Sequence, residues 1–158
     1  MPNIDMERVT NASRMFESCY NVSLKSLENC GNILDATNMF SNSTINNFPE
    51  DVDFSSVTNG INMFYYARIK HHDNDNDHSE FAVTNFSSLE DGSSMFYEFN
   101  TLILNIDNMQ LDHLARGNTM FEHSKVKMTK LTLPNLTTAE NMFYHAKNVS
   151  TKINKITC

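Results

Sequence analysis

The sequence predicts an α/β repeat solenoid in which each coil of about 24 residues adds one short parallel β-strand and one short helix. Three observations lead there. The dipeptide Met-Phe occurs six times in 158 residues that contain ten Met and eleven Phe, where random order gives about one. Its Met residues, Met15, Met39, Met63, Met95, Met120 and Met142, are spaced by 24, 24, 32, 25 and 22. Like residues also recur at fixed distances from each Met, which the dipeptide alone does not require.

Six residues before each Met stand Val9, Ile33, Val57, Leu89, Leu114 and Leu136, all branched aliphatics. Three before stand Ala12, Ala36, Gly60, Gly92, Gly117 and Ala139. Four after stand Cys19, Ser43, Ala67, Phe99, Ser124 and Ala146, of which only Phe99 is large. Together with Met and Phe these positions trace one face of a 3.6-residue period, which predicts a short helix burying Met and Phe. Thr10, Thr58 and Thr137 precede the expected helices as N-cap candidates. Upstream, "IDMERV" (4–9), "VDFSSV" (52–57), "MQLDHL" (109–114) and "LTLPNL" (131–136) alternate apolar and polar residues. That alternation predicts a very short strand.

One strand and one helix per 24 residues is leucine-rich-repeat arithmetic. In such a solenoid no coil buries its apolar face alone, so Met-Phe is read as a core ladder stacked from coil to coil. The units "VTNGINMFYYARI" and "LTTAENMFYHAKNV" resemble the BspA-like leucine-rich repeats, including the mycoplasma-type surface-protein repeat, which also occur in phage and virus proteins. The resemblance runs from about residue 3 to 156. It implies a solenoid with a parallel strand ladder and a binding or attachment role without catalysis, and the chain reads as a single repeat domain over 1–158 of about six repeats plus a terminal half-repeat.

Composition narrows the function. Net charge is −7 with a pI near 5.2, which argues against nucleic acid and anionic membrane as partners. No apolar run reaches the 18 residues of a membrane span. The start "MPNIDMERVT" reads as no signal peptide, which favours a virion or cytoplasmic setting over secretion. Cys19, Cys30 and Cys158 form no paired framework, and Cys19 and Cys30 fall at core positions. There is no Gly-rich phosphate loop and no nucleophile motif, so an enzyme is not expected, nor a cofactor.

Two surfaces are candidates for a protein partner, which includes further copies of the chain. Ten residues before each Met stand Asp5, Asn29, Asp53, Asn85, Gln110 and Thr132, expected to point outward as a polar ladder. Two residues after stand Tyr65, Tyr97 and Tyr144, outside the buried set and of a type favoured at interfaces. His123 and His145 share the next position on consecutive coils, close enough to oppose each other's charging.

The long interval carries the polar insertion "KHHDNDNDHSE" (70–80). Asp73, Asp75 and Asp77 alternate as in a calcium loop, with His78 where Gly is wanted, and His71, His72 and His78 are transition-metal donors. The alternative to a protein-binding scaffold is therefore a calcium- or zinc-dependent binding domain centred on 71–78. The scaffold reading has two versions, a virion structural or decoration protein and a cell-surface adhesion module.

Overall fold

The structure, a computed structural model, describes residues 4–70, 80–81, 83–99, 101–148 and 155–157. Its elements are β1 (Ile4–Asp5), β2 (Tyr20–Ser23), β3 (Leu27–Glu28), a 3-10 turn (Cys30–Asn32), β4 (Thr44–Asn46), β5 (Arg68–Ile69), β6 (Glu80–Phe81), β7 (Ile103–Asn105), β8 (Lys125–Lys127), β9 (Lys130–Thr132), β10 (Lys147–Asn148) and β11 (Lys155–Thr157). Every pairing among them is parallel: β1-β3, β2-β4-β5, β6-β7-β8-β10 and β9-β11. A further ladder of single parallel bridges links Asn11, Asp35, Asn59, Asp91, Arg116 and Thr138, four residues before each Met. The chain is thus a parallel stack of six coils, with β11 laid on β9 of the sixth.

The expected helix is absent, and the α/β class is corrected to a nearly all-β stack: among the described residues the only helical element is the 3-10 turn. Each Met-Phe segment is a ribbon of tight turns. The residue before Met is left-handed in every coil, at Arg14, Asn38, Asn62, Ser94, Thr119 and Asn141, with φ between 54° and 60°. So is the residue three after Met, at Ser18, Asn42, Tyr66, Glu98, His123 and His145, with φ between 51° and 58°. A left-handed residue every four positions forbids the unbroken right-handed run an α-helix needs. The amides of Met and of the residues two and four after it turn back three residues, as in Met39→Ala36 at 3.0 Å. The amides between them cross to the next coil, as in Ala36→Asn59, Asn38→Ile61, Phe40→Met63 and Asn42→Tyr65. The ribbon repeats this set of four crossing bonds at all five coil interfaces, at 2.8–3.0 Å.

The turn ribbon nevertheless buries most of the residues that periodicity selected, whereas Met15 in coil 1 and Ala139 in coil 6 are exposed. Phe16, Phe40, Phe64, Phe96, Phe121 and Phe143 stack in one column, with successive centroids 5.1–5.9 Å apart and planes within 14°. Met39, Met63, Met95 and Met120 are fully buried. Met95, Met120 and Met142 lie over the small residue of the preceding coil, where a Cβ on Gly60, Gly92 or Gly117 would come within 3.4, 3.0 or 2.9 Å of them. Phe99, the large exception, is also fully buried, edge-on to Phe64, Phe81 and Phe96. Two of the N-cap candidates bond between coils instead. The hydroxyls of Thr58 and Thr137 donate to Leu34 O and Ala115 O of the preceding coil.

Expected strand positions are met at β1 and β9 and by the bridge Asn85↔Gln110, whereas "VDFSSV" forms none. The longer ladders follow Met-Phe instead. In coil 3 this strand position is divided: β5 pairs back to β4 and β6 pairs forward to β7. No helix is long and apolar enough to cross a membrane among the described residues.

Candidate interaction surface

The positions two and three after Met sit at the outer tip of the turn ribbon. Phe before them and the small residue after them both point inward, so these two side chains are left at the surface. In coils 3 to 6 they are Tyr65 and Tyr66, Tyr97 and Glu98, Glu122 and His123, Tyr144 and His145.

The rings form a continuous ridge. Tyr65 stacks on Tyr97 at 5.0 Å, and Tyr66 packs edge-on to Tyr65 at 4.7 Å. Tyr97 meets His123 at 5.9 Å, His123 stacks on His145 at 5.0 Å, and Tyr144 lies 4.1 Å from His145. The two histidines are therefore neighbours, as their shared position implied. Tyr66 and Tyr144 are 40% and 53% exposed and His145 is exposed, while Tyr65, Tyr97 and His123 are half-buried.

Acidic groups line the ridge. Tyr66 Oη donates to Glu98 Oε1 at 3.0 Å, and this bond to a carboxylate pushes the phenol up to about 12. Burial, then the neighbouring Tyr97, raises the Tyr65 phenol as well. Glu122 Oε1 lies 3.6 Å from His123 Nε2. Tyr66 was not among the sequence candidates. Its signal was the third aromatic of "FYY" at a position shared with His123 and His145.

The polar ladder points outward as expected: Asp5, Asn29, Asp53, Gln110 and Thr132 are exposed and Asn85 is half-buried. Much of its hydrogen-bonding capacity serves the fold, however. Asp5 Oδ1 accepts the Glu7 amide at 3.0 Å and Asn29 Nδ2 at 2.9 Å. The Asn29 amide and then the Glu7 amide hold the Asp5 carboxyl below its usual value. Asp53 Oδ1 accepts the Ser55 amide at 2.9 Å and Asn85 Nδ2 at 3.4 Å, and Asn85 Oδ1 accepts the Ser87 amide. Gln110 and Thr132 are tied in through their backbones, to Asn85 and Thr157.

A second set of such turns was missed. Asn11, Asp35, Asn59 and Asp91, four before Met, each accept the amide two residues on, and Asp91 also takes Arg116 Nε at 2.7 Å. Asn or Asp in four of six copies was the available sign.

Cys30 is 2% exposed, and burial, then the charge of Asp53, pushes its thiol up to about 12, as befits a small core residue. Asp73, Asp75, Asp77 and His78, like His71 and His72, lie outside the described residues. Among the described residues no group of three or more His, Cys, Asp or Glu is placed to hold a metal ion.

No curated protein and no solved structure matches the chain. One family model matches it in three overlapping stretches, residues 1–88, 25–133 and 73–157, as a self-similar array must when one model spans several coils. Those stretches cover the chain almost from end to end, and it belongs to the family described as Mycoplasma protein of unknown function, DUF285.

Proposed function

We propose that the chain is a non-catalytic repeat scaffold that binds a protein partner along its aromatic ridge. The observation that carries this is the unbroken run of six exposed or half-exposed rings, Tyr65, Tyr66, Tyr97, His123, Tyr144 and His145, across four coils. Tyr offers large rigid area and a polar tip at small entropic cost, which suits recognition. The column of Phe behind it fixes the spacing of the rings, so the surface is preorganised. Attachment, as the resemblance to BspA-like repeats implies, is the setting this reading favours.

The test compares the chain with a Tyr65→Ser, Tyr97→Ser, Tyr144→Ser variant, both immobilised and offered the same labelled cell-surface protein fraction. With circular dichroism unchanged, retention should fall about tenfold or more in the variant. The pair Asp53→Lys with Asn85→Lys serves as the comparison. Retention lost in that pair and kept in the tyrosine variant would move the site to the polar ladder.

A further inference from the structure

A groove runs along the flank of the stack beside the ridge, and it exists because coil 2 is small where its neighbours are large. Five residues after Met, the outward strand position carries Tyr20 in coil 1, Thr44 in coil 2 and Arg68 in coil 3, paired in register in one parallel ladder. Three residues after Met stand Asn42 in coil 2, Tyr66 in coil 3 and Glu98 in coil 4. Thr44 and Asn42 are thus the short side chains between the Tyr20 ring on one side and Tyr66 with Arg68 on the other. Beyond Arg68 the sheet is interrupted, since among the described residues β5 pairs only with β4. Thr101 of coil 4 fills the break, its Oγ1 accepting the Ile69 amide at 3.1 Å. With Glu98 it closes a cleft of about 470 Å³. That volume lies in the range of small-ligand sites, about 300–1,000 Å³.

The lining selects the class of ligand. Tyr20 is 68% exposed and Tyr66 40%, so two aromatic rings at the sides are open to a guest. Between them come a guanidinium, a carboxylate, a carboxamide and the hydroxyls of Thr44 and Thr101, with no aliphatic side chain. Among the described residues Arg68 makes no ion pair and the Thr44 hydroxyl no hydrogen bond. Thr101 Oγ1 only accepts, so its proton is available. The Tyr66 hydroxyl, by contrast, is held on Glu98 Oε1 at 3.0 Å, which fixes that ring. The backbone beneath is already used. The amides of Thr44 and Arg68 donate to Cys19 O and Ser43 O at 2.8 and 2.9 Å, so an extended peptide finds no ladder to join. An apolar anchor finds no pocket either. A sugar meets all of these terms. Its weakly positive C–H face packs on the negative face of an aromatic ring. Its hydroxyls both donate and accept, and the planar fork of Arg reaches two neighbouring oxygens.

We propose that the groove between Tyr20 and Tyr66 binds a saccharide, a short stretch of glycan lying across coils 1 to 4 with its rings against the two tyrosines and its hydroxyls on Arg68, Glu98, Thr44 and Thr101. The polar groups are wet in the free chain, so each hydrogen bond to the sugar replaces one to water and adds little net affinity. The tyrosine rings therefore supply most of the binding, and Arg68 and the hydroxyls set which sugar fits. This goes beyond protein binding by the ridge, with which the groove shares only Tyr66. The variants below leave Tyr66 in place, so each reading can fail without the other.

The test offers the full chain to an array of defined neutral and acidic oligosaccharides and reads the dissociation constant of each one retained by titration calorimetry. The wild type should hold at least one of them with a constant of about 10 µM to 1 mM. Tyr20→Ala and Arg68→Gln should each weaken it about tenfold. Both residues are exposed, so circular dichroism should not change. Tyr20→Phe should bind nearly as the wild type does, because the ring face makes the contact. Thr44→Tyr gives coil 2 the residue that coil 1 already carries at that position, so it should fold normally, fill the groove and abolish binding. Ridge variant Tyr97→Ser with Tyr144→Ser should bind the sugar as the wild type does. No oligosaccharide held at about 1 mM overturns the proposal. So does sugar binding that survives both Tyr20→Ala and Thr44→Tyr. Sugar binding lost only in the ridge variant would put the saccharide on the ridge and overturn the groove as its site.

Discussion

Phe64 stacks on Phe96 with centroids 5.4 Å apart and planes within 2°, and on its other face it stacks on Phe40 at 5.1 Å. It is fully buried and also meets Phe48, Phe81 and Phe99 edge-on. Removing its ring opens a cavity in the middle of the column. Phe64→Ala should therefore cost about 3–5 kcal/mol, read as the shift of a urea unfolding curve at constant slope. An unchanged midpoint would mean that the column does not carry the fold.

The small residue three before Met is a matter of space, not of backbone conformation, because no glycine has positive φ among the described residues. A Cβ on Gly60 would meet Leu89 Cδ1 at 3.0 Å and Met95 Sδ at 3.4 Å, whereas one on Gly92 meets Met120, Leu114 and Leu89 at 3.0, 3.2 and 3.2 Å. The ends of flexible side chains yield to one methyl more easily than to an isobutyl group. Gly60→Ala should be mild and Gly92→Ala worse. Leu at either site should destabilise by about 1–3 kcal/mol or more through overpacking. Thermal unfolding of the four variants checks the order, and equal tolerance of Ala and Leu would remove the close-packing argument.

Left-handed positions provide a separate test of the turn ribbon. Asn62 has φ 55° immediately before Met63. Glycine adopts this conformation freely and valine does not, so Asn62→Val should cost about 1–2 kcal/mol while Asn62→Gly stays near neutral. If an α-helix ran through this segment the order would reverse, since glycine is the poorer helix former.

That contrast explains what was legible in the sequence. The repeat, its buried set and the outward tyrosines could be read, because burial follows from side-chain chemistry at fixed offsets. Helix was inferred because residues three, four and one apart shared a face. A turn with left-handed residues every four positions folds the same offsets inward. Asn38, Asn62 and Asn141 before Met were the sign of it, since Asn tolerates that region, but Arg14, Ser94 and Thr119 occupy the same place and diluted the signal. The junction between coils was illegible for another reason: backbone amides and carbonyls carry it, and these are the same in every residue.

Acid should weaken the stack through the carboxylates that hold it together. Burial works to raise Asp107, but the Thr129 hydroxyl at 2.6 Å and the Lys130 and Thr129 amides outweigh it and hold the carboxyl below its ordinary value. Glu80 is likewise lowered, by Lys127 Nζ at 2.6 Å and then Asn105 Nδ2. A carboxyl whose folded value is depressed stabilises fully above its ordinary value, 3.8 for Asp and 4.5 for Glu, and that contribution is lost as pH falls through the folded value. Melting temperature should be flat from pH 7 to about 5 and fall below it. Asp107→Asn should melt lower at pH 7, with the gap to wild type closing on acidification. A constant gap would show that the charge of Asp107 contributes nothing.

The insertion in coil 3 has a register of its own to test. The Ile69 amide donates to Thr101 Oγ1, and Phe81 pairs with Leu104, so coil 4 passes between these contacts in three residues where coil 3 takes twelve. Deleting the nine residues 71–79 leaves Ile69 and Phe81 three apart, the spacing coil 4 already uses. The deleted chain should therefore keep β5 on β4 and β6 on β7. Its stability should change little, since loop closure depends only weakly on length. If 71–78 held calcium or zinc, either ion would raise the melting temperature of the full chain by mass action and leave the deletion unchanged. We expect no shift in either protein. A metal-dependent rise abolished by the deletion, or by Asp75→Ala with His78→Ala, would make the insertion a metal-binding site.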